Sequence, residues 1–152
     1  PEYLSSGKFL PRPSITTFSN AMDVGNPSNL ARIQFLYKNE LHRLRQHLGA
    51  QSVTDEETLN EIRETYDRTG YVLDPHTAVG VAAARRGVGQ RAHSVPIIVA
   101  ATAHPAKFPD VVRRAIGKDI PLPPVLAEAL GKPKESLRIP AEYEYVKMAL
   151  LG

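Results

Sequence analysis

The stretch VPIIVAATAHPAKF, residues 95–108, decides which fold the sequence predicts. Residues 95–101 are apolar at successive positions, which is typical of a strand covered on both faces, as in a parallel α/β sheet. Ligands in open α/β sheets bind beyond the carboxyl ends of the strands, and Thr102 follows this run directly. The stretch therefore predicts either a strand near 95–101 that delivers Thr102 to a site, or a threonine that only caps the next helix or hydrogen-bonds the backbone.

The rest of the sequence predicts about six helices, from apolar residues at helical spacing and from capping signals. Residues 1–29 are rich in Pro, Ser, Asn and Gly, and they predict a looped segment with at most a short strand at 14–18. The predicted helices span about residues 30–48, 54–70, 74–86, 105 or 109 to 116, 123–130 and 140–151.

Local signals set several of these boundaries. Ser28 or Asn29 can supply the N-cap oxygen of the first predicted helix. Thr54 and Glu57 have the spacing of a capping box. Asp74 precedes a proline at the first helical position, an arrangement that favours a helix start. One strand with about six helices is not a complete sheet, so we expect an α/β fold of which this chain is a helix-rich part.

Composition excludes several classes of function. The chain contains no cysteine, so thiolate catalysis, disulfides and cysteine metal sites are excluded. The net charge is +3. The short arginine clusters lack interleaved aromatic residues, which argues against nucleic-acid binding. No apolar run approaches the roughly 20 residues that cross a bilayer, so we expect no membrane partner, and a reducing cytoplasm is compatible with the composition. His42 and His47 are spaced wrongly for a shared helix face, so no metal site is expected.

Three motifs carry a resemblance to a known family. They are SNAMDVGNPSN at 19–29, GYVLDPHTAVG at 70–80 and ATAHPAKF at 101–108, with SVTDEET at 52–58 as further support. In this order and spacing they resemble the C-terminal part of the threonine synthase family, whose members are pyridoxal-phosphate enzymes of fold type II. The resemblance extends from about residue 14 to the end of the chain.

The resemblance implies a cofactor, a substrate and a partner segment. Residues 1–152 are expected to be the C-terminal segment of a catalytic domain, without the N-terminal half that carries the Schiff-base lysine and the phosphate-binding loop. With pyridoxal phosphate and that N-terminal remainder, the protein would convert O-phospho-L-homoserine and water to L-threonine and phosphate in the cytoplasm. The chain alone is expected to be inactive. The alternative is a non-catalytic helical interaction module derived from the same fold.

The resemblance also assigns candidate site residues. Thr102 is implied to hydrogen-bond the pyridine nitrogen of the cofactor, and no catalytic residue is expected in this segment. His104 and Lys107 are candidates for contact with the substrate or for supporting residues that do, and His104 also suits a helix cap or a residue that fixes the turn. His76 lies in the first turn of a predicted helix, where N–H groups favour anions, although a packing role is the leading alternative. Further candidates lie in the polar loop at 19–29, some of them structural: Ser19, Asn20, Asp23, Asn26 and Asn29.

Overall fold

The computed structural model describes residues 1–20, 24–88 and 96–151. The helices are α1 (Glu2–Ser6), α2 (Leu30–Leu36), α3 (Leu41–His47), α4 (Asp55–Thr69), α5 (Pro75–Val88), α6 (Pro109–Ile116), α7 (Pro124–Leu130) and α8 (Tyr143–Leu151), with a 3-10 turn at Pro105–Lys107 before α6. The chain divides into two compact units, Pro1–Pro121 and Leu122–Gly152. The helix-rich character of the prediction is therefore confirmed.

The predicted capping box at the start of α4 is confirmed. The Thr54 hydroxyl accepts a hydrogen bond from the backbone N–H of Glu57 at 3.3 Å, and the Glu57 carboxylate accepts one from the backbone N–H of Thr54 at 2.7 Å. Two N–H groups that the first turn would otherwise leave without partners are thereby satisfied. The helix ends at Gly70, whose φ of 72° is left-handed, as the sequence predicts.

Helices α4, α5 and α6 enclose the core of the first unit, because α4 packs against both of the others. The buried apolar side chains come from all three helices and from the loop between α4 and α5. They are Leu59, Ile62, Leu73, Ala78 and Ala115, with Phe18, Val81, Val111 and Ile116 packed partly buried against them. Small residues on α5, such as Ala78, let the helix lie close to its neighbours. This core fixes α5, the helix that contacts the candidate site.

Ion pairs join the exposed edges of α4 and α5. Arg85 lies 3.1 Å from the buried carboxylate of Glu61, which also accepts a hydrogen bond from Thr65 at 2.8 Å. One turn earlier on α4, Glu57 pairs with Arg86, which also donates to the carbonyl of Ser52 at 2.7 Å. Both pairs therefore tie the last turn of α5 to α4.

Acid is expected to weaken this edge through Glu57. Hydrogen bonds from Arg86 and from Thr54 lower the pKa of the Glu57 carboxyl from 4.5 to about 2. Because the pKa is lower in the folded state, the carboxylate stabilises the fold fully above about pH 4.5, and this contribution is lost as the pH falls through about 2. Thermal unfolding across that range should show a steeper loss of Tm for the wild type than for Glu57→Gln.

The matched control is Glu56→Gln, which neutralises an exposed carboxylate in the same helical turn. Its Tm should follow the wild-type pH profile. Parallel profiles for Glu57→Gln and the wild type would show that Glu57 contributes no acid sensitivity.

The single helix predicted for residues 30–48 is wrong, because the chain breaks it into α2 and α3. Lys38 and Asn39 adopt left-handed conformations with φ of 52° and 58°. The N–H of Asn39 bonds the carbonyl of Gln34 at 2.8 Å, which closes a wider turn than an α-helical one. The apolar spacing across the break still fits a helical stripe, so periodicity did not reveal it.

Asn29 occupies the N-cap position of α2 but makes no side-chain capping bond, contrary to prediction.

The strand predicted near 95–101 is also wrong for residues 96–101, which form an irregular segment; residue 95 lies outside the described residues. A strand needs backbone partners, and the described residues supply no neighbouring strand to pair with it. The apolar side chains of this segment are not covered either, since Ile97 is 54% exposed and Ile98 is 93% exposed. The suggested short strand at 14–18 does not form either.

The second unit contains α7 and α8 and buries none of their residues. Its exposed apolar side chains include Val125, Leu130, Tyr143, Met148, Leu150 and Leu151. Among the helices of the described residues, none combines the length and apolar character that a membrane crossing requires.

Candidate functional site

Thr102 lies between the irregular segment 96–101 and the 3-10 turn. Thr102 is exposed, and its hydroxyl has no hydrogen-bond partner among the described residues. The predicted alternative, in which Thr102 caps the following helix, is therefore not what the structure shows. An exposed hydroxyl without a protein partner can donate to, or accept from, a ligand atom.

His104 takes the capping role instead. It is the N-cap of the 3-10 turn, and its Nδ1 accepts a hydrogen bond from the backbone N–H of Ala106 at 3.1 Å. A ring nitrogen used in this way fixes the turn that follows Thr102. Lys107, the last residue of the turn, is exposed and places its ammonium group on the same short segment as Thr102.

Asp74 caps the start of α5, in agreement with the sequence. Its Oδ1 accepts from the backbone N–H groups of His76 at 2.9 Å and Thr77 at 3.3 Å, and its Oδ2 accepts from the Thr77 hydroxyl. The Asp74 residue is only 2% exposed. The N–H groups that were expected to favour an external anion therefore already hold the protein's own carboxylate.

His76 is a packing residue at this helix start. Its buried Nδ1 lies 3.3 Å from Asp74 Oδ1 but makes no hydrogen bond within the described part of the chain. The His76 ring lies against Phe108, with centroids 5.2 Å apart and planes tilted by 54°. The contact joins two of the three motifs, because His76 belongs to residues 70–80 and Phe108 to residues 101–108.

A second contact between the same motifs involves Gly80 of α5. A Cβ atom at Gly80 would lie 2.9 Å from Val99 Cγ1, so a larger residue would require the Val99 side chain or its segment to shift. Sequence analysis missed this residue, because a glycine inside a helix carries no periodic signal. Gly80 and His76 are four residues apart and share a face of α5.

The polar loop at 19–29 is described only in part, since Asp23 lies outside the described residues. Ser19 shares a hydrogen bond with the Thr17 hydroxyl at 3.2 Å, and the N–H of Asn20 bonds the Thr17 carbonyl at 3.3 Å. Asn26 and Asn29 are exposed. In the part of the chain that the structure describes, no hydrogen bond or ion pair joins Ser19, Asn26 or Asn29 to the segment that carries Thr102.

Asp55 links Phe18, the residue before this loop, to α4, a role that sequence analysis missed. Its Oδ1 accepts from the backbone N–H of Phe18 at 3.0 Å. The Phe18 ring also lies under the Arg114 guanidinium at 5.0 Å, which links the residue before the loop to α6. The only advance signal was the acidic first turn of α4, which predicts a helix start and not a long-range tether.

A cleft of about 520 Å³ lies beside the loop in the first unit. Its lining includes Lys8, Arg12, Ser14, Ser19 and Gly25. Gly25 is needed here for close approach, because a Cβ atom would overlap the carbonyl oxygen of Arg12. The requirement at Gly25 is space and not an unusual backbone conformation, since Gly25 is not among the described residues with positive φ.

Comparisons with known proteins agree with these motifs. The family model for the threonine synthase C-terminal region matches residues 77–150. Threonine synthase from Serratia marcescens is 34% identical over 152 residues, covering 100% of this chain and 34% of the relative. The Escherichia coli (strain K12) enzyme is 33% identical over the same length and share. The chain thus spans about a third of the length of the curated relatives it matches.

Solved structures give the same family. The crystal structure of threonine synthase from Escherichia coli matches with a TM-score of 0.76 and 34% identity, covering 99% of this chain and 34% of that one. The structure of pyridoxal-phosphate-bound threonine synthase from Brucella melitensis matches with a TM-score of 0.70 and 28% identity, covering 98% and 37%. By sequence and by fold, the chain belongs to the threonine synthase family, of which it represents a C-terminal part.

Proposed function

We propose that residues 1–152 are the C-terminal segment of a catalytic domain of fold type II that depends on pyridoxal phosphate. Together with an N-terminal remainder, they form a complete protein that converts O-phospho-L-homoserine and water to L-threonine and phosphate in the cytoplasm. Family membership supports this reaction class, and the pyridoxal phosphate in the Brucella melitensis relative supports the cofactor. The observation that carries the proposal is the exposed hydroxyl of Thr102 within the ATAHPAKF motif, which has no hydrogen-bond partner among the described residues.

The chemistry of Thr102 fits the cofactor. Bound pyridoxal phosphate supplies an electron-withdrawing ring that stabilises negative charge on substrate carbon atoms. A threonine hydroxyl can donate a hydrogen bond to the pyridine nitrogen, but it lacks the negative charge with which a carboxylate would keep a proton there. Thr102 would therefore hold and orient the ring while leaving its nitrogen neutral. This choice makes the ring a more moderate electron sink.

Other residues of the chain would bind the substrate or support Thr102. The Lys107 ammonium is a compact charge that suits the phosphate group of O-phospho-L-homoserine. His104 would act through the turn that it caps, because its Nδ1 is already occupied by the Ala106 N–H. The polar loop would contribute to the substrate wall through Ser19, Asn20, Asp23, Asn26 and Asn29. His76, packed on Phe108, would support the same segment from α5.

The exposed segment 96–101 supports an N-terminal remainder as partner. Ile97 and Ile98 present apolar side chains to solvent, and the backbone beside them lacks strand partners among the described residues. Burying a side chain such as Ile98 stabilises by about 1.5–3 kcal/mol. In the complete protein, the remainder would cover the exposed apolar side chains of this segment.

Replacing Thr102 by valine tests the cofactor role, since valine keeps the shape and removes the hydroxyl. One net hydrogen bond is worth about 0.5–1.5 kcal/mol, so the affinity of the complete protein for pyridoxal phosphate should fall about 2- to 13-fold. Its kcat should fall as well. Absorbance titration with the cofactor and steady-state kinetics measure both quantities.

Thr16→Val is the matched control, because Thr16 is also an exposed threonine of the chain. It should leave cofactor affinity and kcat unchanged. Wild-type affinity and wild-type kcat in Thr102→Val would remove Thr102 from the site.

A further inference from the structure

We propose that the face of α5 formed by His76 and Gly80 positions Thr102, by holding the chain on both sides of that residue. The inference rests on the proposed function, because it assigns these two residues to the cofactor contact of Thr102. They are positioning residues and touch neither substrate nor cofactor in this role.

The first anchor is the contact of Gly80 with Val99, three positions before Thr102. The distance of 2.9 Å from a Cβ atom built on Gly80 to Val99 Cγ1 leaves no room for a larger residue. The branched Val99 side chain has few rotamers, so it cannot easily turn away from an added methyl group. An alanine at position 80 would instead push the backbone of residues 96–101 away from α5.

The second anchor is the contact of His76 with Phe108, on the other side of Thr102. The ring centroids lie 5.2 Å apart, within the range of favourable aromatic contacts. Between the two anchors, His104 caps the 3-10 turn at 3.1 Å and limits the freedom of the short connection. The segment that carries Thr102 is therefore held at both ends and in the middle.

Both anchors belong to one rigid helix. His76 and Gly80 are four residues apart and lie on the same face. The buried carboxylate of Asp74 fixes the start of α5, Ala78 is fully buried in the core, and the Arg85 and Arg86 ion pairs fix its end. A displacement at either anchor would therefore move the Thr102 segment relative to α5 and not α5 relative to the core.

Gly80→Ala in the complete protein tests the first anchor, with Gly87→Ala as the matched control on the same helix. A Cβ atom at Gly87 meets nothing within 4 Å. Both changes favour the helix itself, because alanine is a better helix former than glycine. Gly80→Ala should therefore weaken cofactor binding and lower kcat about 10- to 100-fold, because misplacing a reacting group by up to about 1 Å has an effect of this size. Its Tm should not fall. Gly87→Ala should match the wild type in affinity and kcat.

Adding Val99→Ala to Gly80→Ala should restore most of the lost affinity, because the second change removes the clashing methyl groups.

Phe108→Leu tests the other anchor and should also weaken cofactor binding, which keeps the inference testable if Gly80→Ala does not fold. Cofactor affinity is read from absorbance during titration with pyridoxal phosphate, and Tm from thermal unfolding.

Two failures can be told apart. If the wild type binds pyridoxal phosphate but Gly80→Ala and Phe108→Leu bind it equally well, the positioning role is wrong and the proposed function stands. An affinity loss in Gly80→Ala that Val99→Ala does not relieve would also overturn the role of the Gly80 contact. If the wild-type complete protein binds no pyridoxal phosphate, the proposed function itself fails, and the inference fails with it.

Discussion

The 152-residue chain alone, supplied with pyridoxal phosphate and O-phospho-L-homoserine, is expected to release no phosphate above the uncatalysed background. The family resemblance places the lysine that binds the cofactor, and the loop that holds its phosphate, in the N-terminal remainder. Without that lysine, covalent catalysis in the manner of the family has no nucleophile. A phosphate-release assay with the purified chain measures the result, and the complete protein provides the positive control.

Turnover by the purified chain, proportional to its concentration and free of the remainder, would contradict this expectation. It would mean that a lysine of this segment serves the cofactor. Inactivity of both the chain and the complete protein would instead favour the non-catalytic interaction module.

Truncating Ile62 to alanine should destabilise the chain by about 2–5 kcal/mol, the range for large-to-small changes at fully buried positions. Ile62 is 0% exposed and lies at the centre of the α4, α5 and α6 core. The cavity left by Ile62→Ala would remove contacts from helices on both sides. Chemical denaturation of the two proteins measures the change in the free energy of unfolding.

Ile98→Ala makes the same chemical change at a residue that is 93% exposed. In the 152-residue chain it should alter the free energy of unfolding by less than about 0.5 kcal/mol. In the complete protein the same substitution should become destabilising, because the N-terminal remainder is proposed to cover this segment. Equal, small effects of Ile62→Ala and Ile98→Ala in the chain would contradict the core described here.

The sequence predicts several helix boundaries because their signals are local, although α1 (Glu2–Ser6) forms in a stretch that was predicted to be a loop. The Thr54 capping box, the Asp74 cap and the glycine stops at Gly70 and Gly117 each depend on residues within one helical turn. The break at Lys38 and Asn39 was missed for the opposite reason. Their left-handed conformation depends on a turn that ordinary apolar spacing hides.

The strand near 95–101 could not be settled from the sequence, because a strand depends on partners far away in the chain. The apolar run indicates a covered strand correctly only if neighbouring strands exist, and the described residues contain none. The same limit explains why the long-range tether from Asp55 to Phe18 was missed.

The candidate site was predicted in part. Thr102 and Lys107 followed from the ATAHPAKF motif, and the structure leaves both exposed. His76 was expected beside N–H groups that favour an anion, but Asp74 accepts from these groups, and the His76 ring lies against Phe108. Gly80 had no signal of its own, since its importance arises from Val99 of another segment.

The central claim is that the Thr102 hydroxyl is the partner of the cofactor ring, and one distance tests it most directly. A crystal structure of the complete protein with pyridoxal phosphate bound would give the separation of Thr102 Oγ1 and the pyridine nitrogen. The account predicts a hydrogen bond of about 2.7–3.2 Å. A nitrogen beyond hydrogen-bonding reach of Thr102, or paired with the side chain of another residue, would contradict it.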